Sequence, residues 1–219
     1  MKIKHAIVDL DGTLTDSNGV WTDAVFEYID KHCDYSREDL PPIFENEIIF
    51  GGTYEALRFL RDEMGDGRDF SEIVKIIMES VTRSYGFERP KKKGALEFLK
   101  ALKENGSDVC VVTATPSDLA AAALEKAGLL EFVDFIISGE ERKSGKEKPY
   151  IFLEAASRMN CDVSECTLFE DALYSLRTGK SLGMTLVGIE DDFCTESAKR
   201  EIIDICDFFV RDYGDIPLD

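Results

Sequence analysis

The sequence lacks the long apolar runs and the basic charge that mark membrane proteins and nucleic-acid-binding proteins. No apolar run approaches the roughly 18 residues that a membrane-spanning helix needs, and the apolar stretch near the N-terminus is interrupted at Asp9, which makes it too short for a secretory signal. The 26 lysines and arginines are outnumbered by 44 aspartates and glutamates, so the net charge is −18. This balance predicts no nucleic-acid partner and no anionic membrane surface as a partner.

Histidine and closely paired cysteines are also scarce. The six cysteines form no CxxC pair, and there are only two histidines, so no zinc site is expected. We therefore predict a cytoplasmic protein whose cysteines remain reduced, most of them packed in the interior.

Short apolar segments alternate with segments of helical periodicity along most of the chain. The apolar segments predict buried strands at 3–9, 108–114, 133–138, 167–170, 185–189 and 208–210. Helices are predicted between most of them, at 94–105, 117–126, 150–159 and 172–182. Strands that alternate with helices of this length indicate βαβ units, so the predicted fold class is α/β with a mostly parallel sheet.

The alternation is interrupted between the first two predicted strands. Helical patterns fit near 21–31, 53–63 and 70–85, and no convincing buried strand lies among them. The predicted organisation is a core formed by residues 1–15 and 88–219, with an all-helical insert at 16–87.

One helix start is strongly marked in the sequence. Thr115 suits the N-cap position, Pro116 the first helical position, and Asp118 follows three residues after the cap. Gly128 is predicted to end the helix. The strand that ends at Thr113 would then lead into a helix N-terminus, which favours bound anions.

Polar residues follow four of the predicted strands. In an open parallel sheet, ligands bind beyond the carboxyl ends of the strands, so these side chains can meet at one site: Asp9, Asp11, Thr113, Lys146, Glu170 and Asp171. Carboxylate oxygens from separate strands suit Mg²⁺, which also binds phosphate. A carboxylate can attack phosphorus to form an aspartyl phosphate, and a second carboxylate can act as general acid and then base. Residues i and i+2 of an extended strand point the same way, which suits this pair of roles to Asp9 and Asp11.

Four segments of the sequence resemble, in order and spacing, the motifs of the haloacid dehalogenase-like hydrolase superfamily. Residues 7–14, IVDLDGTL, are similar to its nucleophile motif, and residues 111–113, VVT, to its second motif. Lys146 is similar to the lysine of the third motif, and residues 168–171, LFED, to the acidic fourth motif. The resemblance is to phosphatases with a small helical cap, in the branch of the phosphoglycolate phosphatases and β-phosphoglucomutases. It implies a Rossmann-like sheet with the first strand central and a cap formed by the insert.

The resemblance also implies a role for each matching residue. Asp9 would be the nucleophile and Asp11 the general acid and base. Thr113 and the backbone N–H of Ala114 would hold the phosphoryl group, and Lys146 would offset its charge. The cofactor would be Mg²⁺, with a ligand set listed in order along the chain: Asp9, the backbone carbonyl of Asp11, Glu170 as a weaker candidate, and Asp171.

One departure from the family pattern leaves the identity of the third-motif lysine open. Glu147 stands where a proline usually follows the third-motif lysine, and Lys148 is close enough to compete with Lys146 for that role.

The predicted function is a Mg²⁺-dependent phosphatase of a small phosphorylated metabolite: a sugar phosphate, a nucleotide or phosphoglycolate. A sugar phosphate mutase is the alternative, which Trp21 and Thr13 disfavour because similar mutases typically carry histidine and often valine there. An alternative of another class is a catalytically silent acidic interaction protein. The oligomeric state is left open.

Overall fold

The structure is a computed structural model that describes residues 2–44, 53–85, 90–139 and 145–217, with side chains in the second range described from residue 56. The chain divides into two compact units. The core unit comprises Met1–Asp16 and Glu88–Asp219, and the helical unit comprises Ser17–Phe87.

The core unit contains a six-stranded parallel sheet in the order β3-β2-β1-β4-β5-β6. The strands are β1 (His5–Val8), β2 (Asp108–Thr113), β3 (Phe135–Ser138), β4 (Cys166–Glu170), β5 (Thr185–Ile189) and β6 (Phe208–Val210). The first strand lies inside the sheet between β2 and β4, and all six strands overlap predicted ones. The α/β fold with a Rossmann-like parallel sheet is therefore confirmed.

The described residues form eight α-helices. They are α1 (Asn18–His32), α2 (Thr53–Asp62), α3 (Phe70–Tyr85), α4 (Ala95–Glu104), α5 (Ser117–Ala127), α6 (Tyr150–Arg158), α7 (Leu173–Ser181) and α8 (Glu196–Ile205). The first three belong to the helical unit and the other five surround the sheet of the core unit. None of the described helices combines the length and the apolar character that crossing a membrane requires.

Apolar side chains cover both faces of the sheet, which is why its strands are continuous apolar runs rather than alternating ones. On one face, Ile7 of β1 and Leu168 of β4 pack in a cluster with Phe152 of α6. Elsewhere in the core unit, Phe98 of α4 meets Phe169 of β4, with ring centroids 5.0 Å apart. This burial fixes the position of the strands and therefore of the residues that follow them.

The helical unit has its own apolar interior. Four apolar residues of this unit are fully buried: Val25 and Ile29 of α1, Leu60 of α2 and Ile73 of α3. Among the described residues of this unit, 17–44 and 53–85, there is no β-strand. The three predicted helices of the insert are therefore present.

Two details of the helices differ from the sequence prediction. The N-cap of α5 is Pro116, and its first helical residue is Ser117, so the prediction of Thr115 as the N-cap is wrong. Helix α8 was not predicted, although Thr195 caps it by accepting a hydrogen bond from the Ala198 N–H at 3.1 Å. The end of α5 agrees with the prediction, because Gly128 adopts a left-handed φ of 70° there.

Candidate active site at the carboxyl ends of the strands

Asp9 directly extends β1 beyond its last residue. Its N–H donates to the Phe169 carbonyl at 3.0 Å, which continues the pairing with β4 and sets Asp9 beside Glu170. Asp9 is 4% exposed. The register of two central strands therefore brings together two carboxylates that are 161 residues apart in sequence.

A tight loop follows Asp9 and fixes Asp11. The Leu10 carbonyl accepts hydrogen bonds from the N–H groups of Leu14 and Thr15, both at 2.9 Å. Gly12 has a φ of 83°, a conformation that suits glycine, and its N–H donates to the Thr15 carbonyl at 2.8 Å. The loop buries Asp11 to 9% exposure at the edge of the site.

Lys146 is the lysine that the structure brings to this site. It is 4% exposed, and its Nζ lies 2.7 Å from Asp9 Oδ1 and 2.8 Å from Glu170 Oε2. Lys148, the competing candidate, is exposed. Residues 140–144, which begin the basic loop, lie outside the described residues.

Glu170 is fully buried and both of its carboxylate oxygens accept hydrogen bonds. Oε2 accepts from Lys146 Nζ and from Ser175 Oγ, the latter at 2.6 Å, and Oε1 accepts from the Ala172 N–H at 3.1 Å. Glu170 thus orients the lysine ammonium. Ser175 was not among the predicted site residues; its place in the first turn of α7, just after the acidic pair, is the sequence signal that could have found it.

Asp171 is held by Thr13 of the first loop. The Thr13 hydroxyl donates to Asp171 Oδ1 at 2.9 Å, and both side chains are buried. Oxygens of Asp9, Glu170 and Asp171 all lie within 4.8 Å of one another, in an arrangement that can hold a metal ion. Such a set of carboxylate oxygens suits a hard cation such as Mg²⁺.

The charge of the site also fits a bound cation. Burial raises the pKa of the Asp9 carboxyl well above its usual value, and the neighbouring Glu170 carboxylate raises it further. Burial lowers the pKa of the Lys146 ammonium, but the carboxylates of Asp9 and Glu170 more than offset this effect and raise the pKa well above its usual value. The ammonium stays charged, but Asp9 also interacts with three further buried acidic residues: Asp11, Glu170 and Asp171. Buried charges need compensation, which a divalent cation supplies.

Thr113 and Thr115 form a turn at the end of β2. Thr113 Oγ1 accepts a hydrogen bond from the Thr115 N–H at 3.0 Å, so the hydroxyl proton of Thr113 remains to be donated to a different acceptor. Ala114 between them is exposed. The Thr115 hydroxyl donates to Asp11 Oδ2 at 2.6 Å, a contact that the predicted capping role did not include.

Tyr213, near the C-terminus, contacts both the core and the first loop. Its ring lies 4.8 Å from that of Phe98, and its hydroxyl donates to the Thr13 carbonyl at 3.2 Å. No motif near the C-terminus predicted this contact, because the two residues are 200 positions apart in sequence.

Comparison with known proteins identifies the family. The model of the haloacid dehalogenase-like hydrolase family matches residues 3–183. The pyrophosphatase PpaX of Bacillus velezensis is 26% identical over 195 residues, which cover 86% of this chain and 83% of that protein. A phosphorylated carbohydrates phosphatase of Thermotoga maritima is 24% identical over 182 residues, covering 83% and 82% of the two chains.

A similar fold is found in a solved structure of CbbY from Rhodobacter sphaeroides, in a complex with xylulose-1,5-bisphosphate. The TM-score is 0.80 with 21% sequence identity, and the match covers 97% of this chain and 96% of that chain. Together with the order of the four motifs along the sheet, the family match shows that this chain belongs to the haloacid dehalogenase-like hydrolases.

Proposed function

We propose that this protein is a Mg²⁺-dependent phosphatase that hydrolyses small phosphomonoesters through an aspartyl phosphate on Asp9. The family and the phosphatase names of its relatives identify the chain as a hydrolase of phosphoric monoesters. The observation that carries the proposal further is the position of Lys146, whose ammonium bridges Asp9 and Glu170 in a buried site that also contains Asp11 and Thr113.

The first chemical step forms a bond between an Asp9 carboxylate oxygen and phosphorus. The ester P–O bond breaks, and Asp11 donates its proton to the departing oxygen, which leaves as an alcohol. The phosphoryl oxygens are bound by the Thr113 hydroxyl, the Ala114 N–H and the Lys146 ammonium. These positive and dipolar groups stabilise the charge of the transferring group.

The second step hydrolyses the aspartyl phosphate. Asp11, now a carboxylate, removes a proton from a water molecule as that water attacks phosphorus. The bond between Asp9 and phosphorus breaks, which releases inorganic phosphate and restores the Asp9 carboxylate. The same residue thus acts as acid in one step and as base in the next.

Asp9, Asp171 and the backbone carbonyl of Asp11 are the residues that would hold Mg²⁺. The ion supplies Lewis acidity and neutralises charge on the phosphoryl oxygens. Glu170 contributes negative charge to the site, but we assign it mainly to the orientation of Lys146, because its two oxygens already accept three hydrogen bonds.

The substrate is proposed to be a small phosphorylated metabolite of the sugar phosphate, nucleotide or phosphoglycolate class. The relative from Thermotoga maritima is a phosphatase of phosphorylated carbohydrates, which supports sugar phosphates as the first class to test. The helical unit, inserted directly after the nucleophile loop, is proposed to act as the cap that selects among these substrates.

The purified protein tests the proposal with a panel of sugar phosphates, nucleoside monophosphates and phosphoglycolate, each assayed with Mg²⁺ and with excess chelator. We expect release of inorganic phosphate only with Mg²⁺. Full activity in excess chelator would contradict the metal requirement. Conversion of a sugar phosphate to its isomer without net phosphate release would instead identify a mutase.

Two variants test the assignment of the nucleophile. Asp11→Asn removes the general acid and base, whose contribution is about 10²–10⁴-fold in rate, but leaves the nucleophile in place. With 4-nitrophenyl phosphate, whose leaving group needs little protonation, this variant is expected to accumulate ³²P label on Asp9. Asp9→Asn is expected to accumulate none. Rapid-quench labelling measures both, and label in the Asp9 variant would show that the nucleophile is a different residue.

A further inference from the structure

We propose that Thr115 is a positioning residue for the general acid and base, and that its hydroxyl holds the carboxylate of Asp11 in the orientation that protonates the leaving group. The proposal rests on the proposed phosphatase function. The observation behind it is the 2.6 Å hydrogen bond from Thr115 Oγ1 to Asp11 Oδ2. Thr115 is completely buried, so solvent does not compete for this hydroxyl.

The backbone around Thr115 is constrained from both sides. On one side, its N–H donates to Thr113 Oγ1 at 3.0 Å. On the other side, Pro116 follows, and a residue before proline is restricted to extended conformations. Pro116 itself has φ −51° and ψ 141°, so the helix begins only at Ser117. In the sequence Thr-Ala-Thr-Pro, the hydroxyl of the second threonine, Thr115, therefore contacts Asp11 and does not cap the helix.

The bond to Oδ2 also restrains the orientation of the Asp11 carboxylate. A β-branched side chain is restricted at χ1, which makes it a stiff support for such a contact. Thr115 thus restricts the rotation of the Asp11 carboxylate by holding one of its two oxygens.

The same turn links general acid catalysis to phosphate binding. Thr113 accepts the Thr115 N–H and donates its own hydroxyl proton to the phosphoryl group, while Thr115 holds Asp11. A shift of this turn would therefore move the phosphate-binding hydroxyl and the proton donor together, which keeps their separation constant. Placement of reacting groups to within fractions of an ångström is what such support provides.

Thr115→Val, which keeps the shape but lacks the hydroxyl, tests the role through leaving-group dependence. The ratio kcat/KM covers substrate binding and the steps up to departure of the leaving group, so it excludes the later hydrolysis of the aspartyl phosphate. For the alkyl phosphate hydrolysed fastest in the substrate panel, kcat/KM is expected to fall about 10- to 100-fold, which is within the usual contribution of a general acid. For 4-nitrophenyl phosphate, we expect a change of less than about threefold, because its leaving group needs little protonation.

Thr115→Ser restores the hydroxyl and is expected to recover most of the loss with the alkyl phosphate. Thr185→Val, at the start of β5, is the matched control for loss of a threonine hydroxyl elsewhere in the sheet and is expected to leave both ratios unchanged. Thr115→Ala provides a second hydroxyl deletion if the valine variant fails to fold. Equal losses with the two substrates, or no loss, would overturn the positioning role.

A crystal structure of Thr115→Val tests the positioning without turnover. We expect the Asp11 carboxylate to leave its wild-type side-chain conformation or to occupy more than one. An unchanged, single conformation of Asp11 would overturn the proposal even if the wild-type protein hydrolysed no ester. Conversely, a displaced Asp11 in a protein that lacks phosphatase activity would refute the proposed function and leave the positioning by Thr115 standing.

Discussion

Buried threonine hydroxyls hold two of the carboxylates in this site. Thr115 donates to Asp11, and Thr13 donates to Asp171 at 2.9 Å. Each threonine lies on a different strand end from the carboxylate that it contacts, so the hydrogen bonds also tie neighbouring loops together. Residues of this kind orient the groups that bind a metal or move a proton, without contacting the substrate.

The contact between Thr13 and Asp171 leads to a prediction about metal affinity. Thr13→Val keeps the shape of the side chain but removes the donor that orients the Asp171 carboxylate. Loss of such a supporting hydrogen bond typically costs about 10- to 100-fold in metal affinity. We therefore expect the Kd for Mg²⁺, measured by titration calorimetry, to rise by about that factor, with a parallel shift in the Mg²⁺ dependence of hydrolysis.

Thr13→Ser is the matched variant for this measurement, because it keeps the hydroxyl and is expected to bind Mg²⁺ nearly as the wild-type protein does. Equal affinities of the valine variant and the wild-type protein would show that Asp171 needs no support from Thr13, or that Asp171 is not a ligand.

At the scale of the elements, the helical unit contains a buried polar cluster that joins α1 to the segment before α3. The Tyr28 hydroxyl donates to Asp66 Oδ2, and Arg68 Nη1 lies 3.0 Å from Asp66 Oδ1. The Asp66 side chain is 1% exposed. Burial raises the pKa of Asp66, but the hydrogen bonds from Tyr28 and Arg68 outweigh this effect, so the pKa lies below its usual value.

This cluster predicts a loss of stability for Tyr28→Phe. A hydrogen bond to a charged group contributes about 1.5–3 kcal/mol, so the free energy of unfolding of the helical unit is expected to fall by about that amount at pH 7. Trp21 of α1 is the single tryptophan of the chain, so its fluorescence reports urea unfolding of this unit. Tyr150→Phe, at a residue that is 60% exposed, is the control and is expected to leave the transition unchanged.

The pH dependence of this effect has a definite sign. Because the pKa of Asp66 is lowered in the folded unit, its contribution is present above the unfolded value of about 3.9 and is lost as the pH falls through the folded value. The difference between Tyr28→Phe and the wild-type protein is therefore expected to shrink in acid. A difference that grows as the pH is lowered would contradict the ionised state of Asp66.

The sequence predicts most of the elements because their causes are local. A strand that is buried on both faces is a continuous apolar run, and the six predicted strands match the observed ones for this reason. Helix α8 was not predicted, although Thr195 caps its start and Ile202 is buried. Thr115 was predicted to be a helix cap because capping is inferred from neighbouring residues alone. Its contact with Asp11, 104 residues away, is not visible in the local sequence.

At the scale of the whole molecule, the parallel sheet explains why the candidate site residues could be named from the sequence. The carboxyl ends of parallel strands meet at one edge, so polar residues at those ends converge whatever their separation along the chain. Which atoms pair is decided by tertiary packing, which the sequence did not predict. Two such contacts were not predicted: Lys146 bridges Asp9 and Glu170, and Tyr213 supports the first loop.

Tyr213 connects the C-terminal segment to the core through its ring and its hydroxyl. The ring packs against Phe98 at 4.8 Å and against Phe169 at 6.5 Å, while the hydroxyl donates to the Thr13 carbonyl. Burial raises the pKa of this hydroxyl well above its usual value, and the nearby Asp9 carboxylate raises it further. The hydroxyl therefore remains a neutral donor throughout the range in which the protein can be assayed.

Two substitutions at Tyr213 separate the contribution of the ring from that of the hydroxyl. Tyr213→Phe removes one neutral hydrogen bond, so we expect the free energy of unfolding to fall by about 0.5–1.5 kcal/mol. Tyr213→Ala also removes a buried ring, for which large-to-small substitutions of aromatic residues cost about 3–5 kcal/mol. Urea unfolding followed by far-ultraviolet circular dichroism measures both losses. Equal losses for the two variants would assign the stabilisation to the hydroxyl alone, and a loss below 1 kcal/mol for alanine would show that the C-terminal segment does not help to close the core.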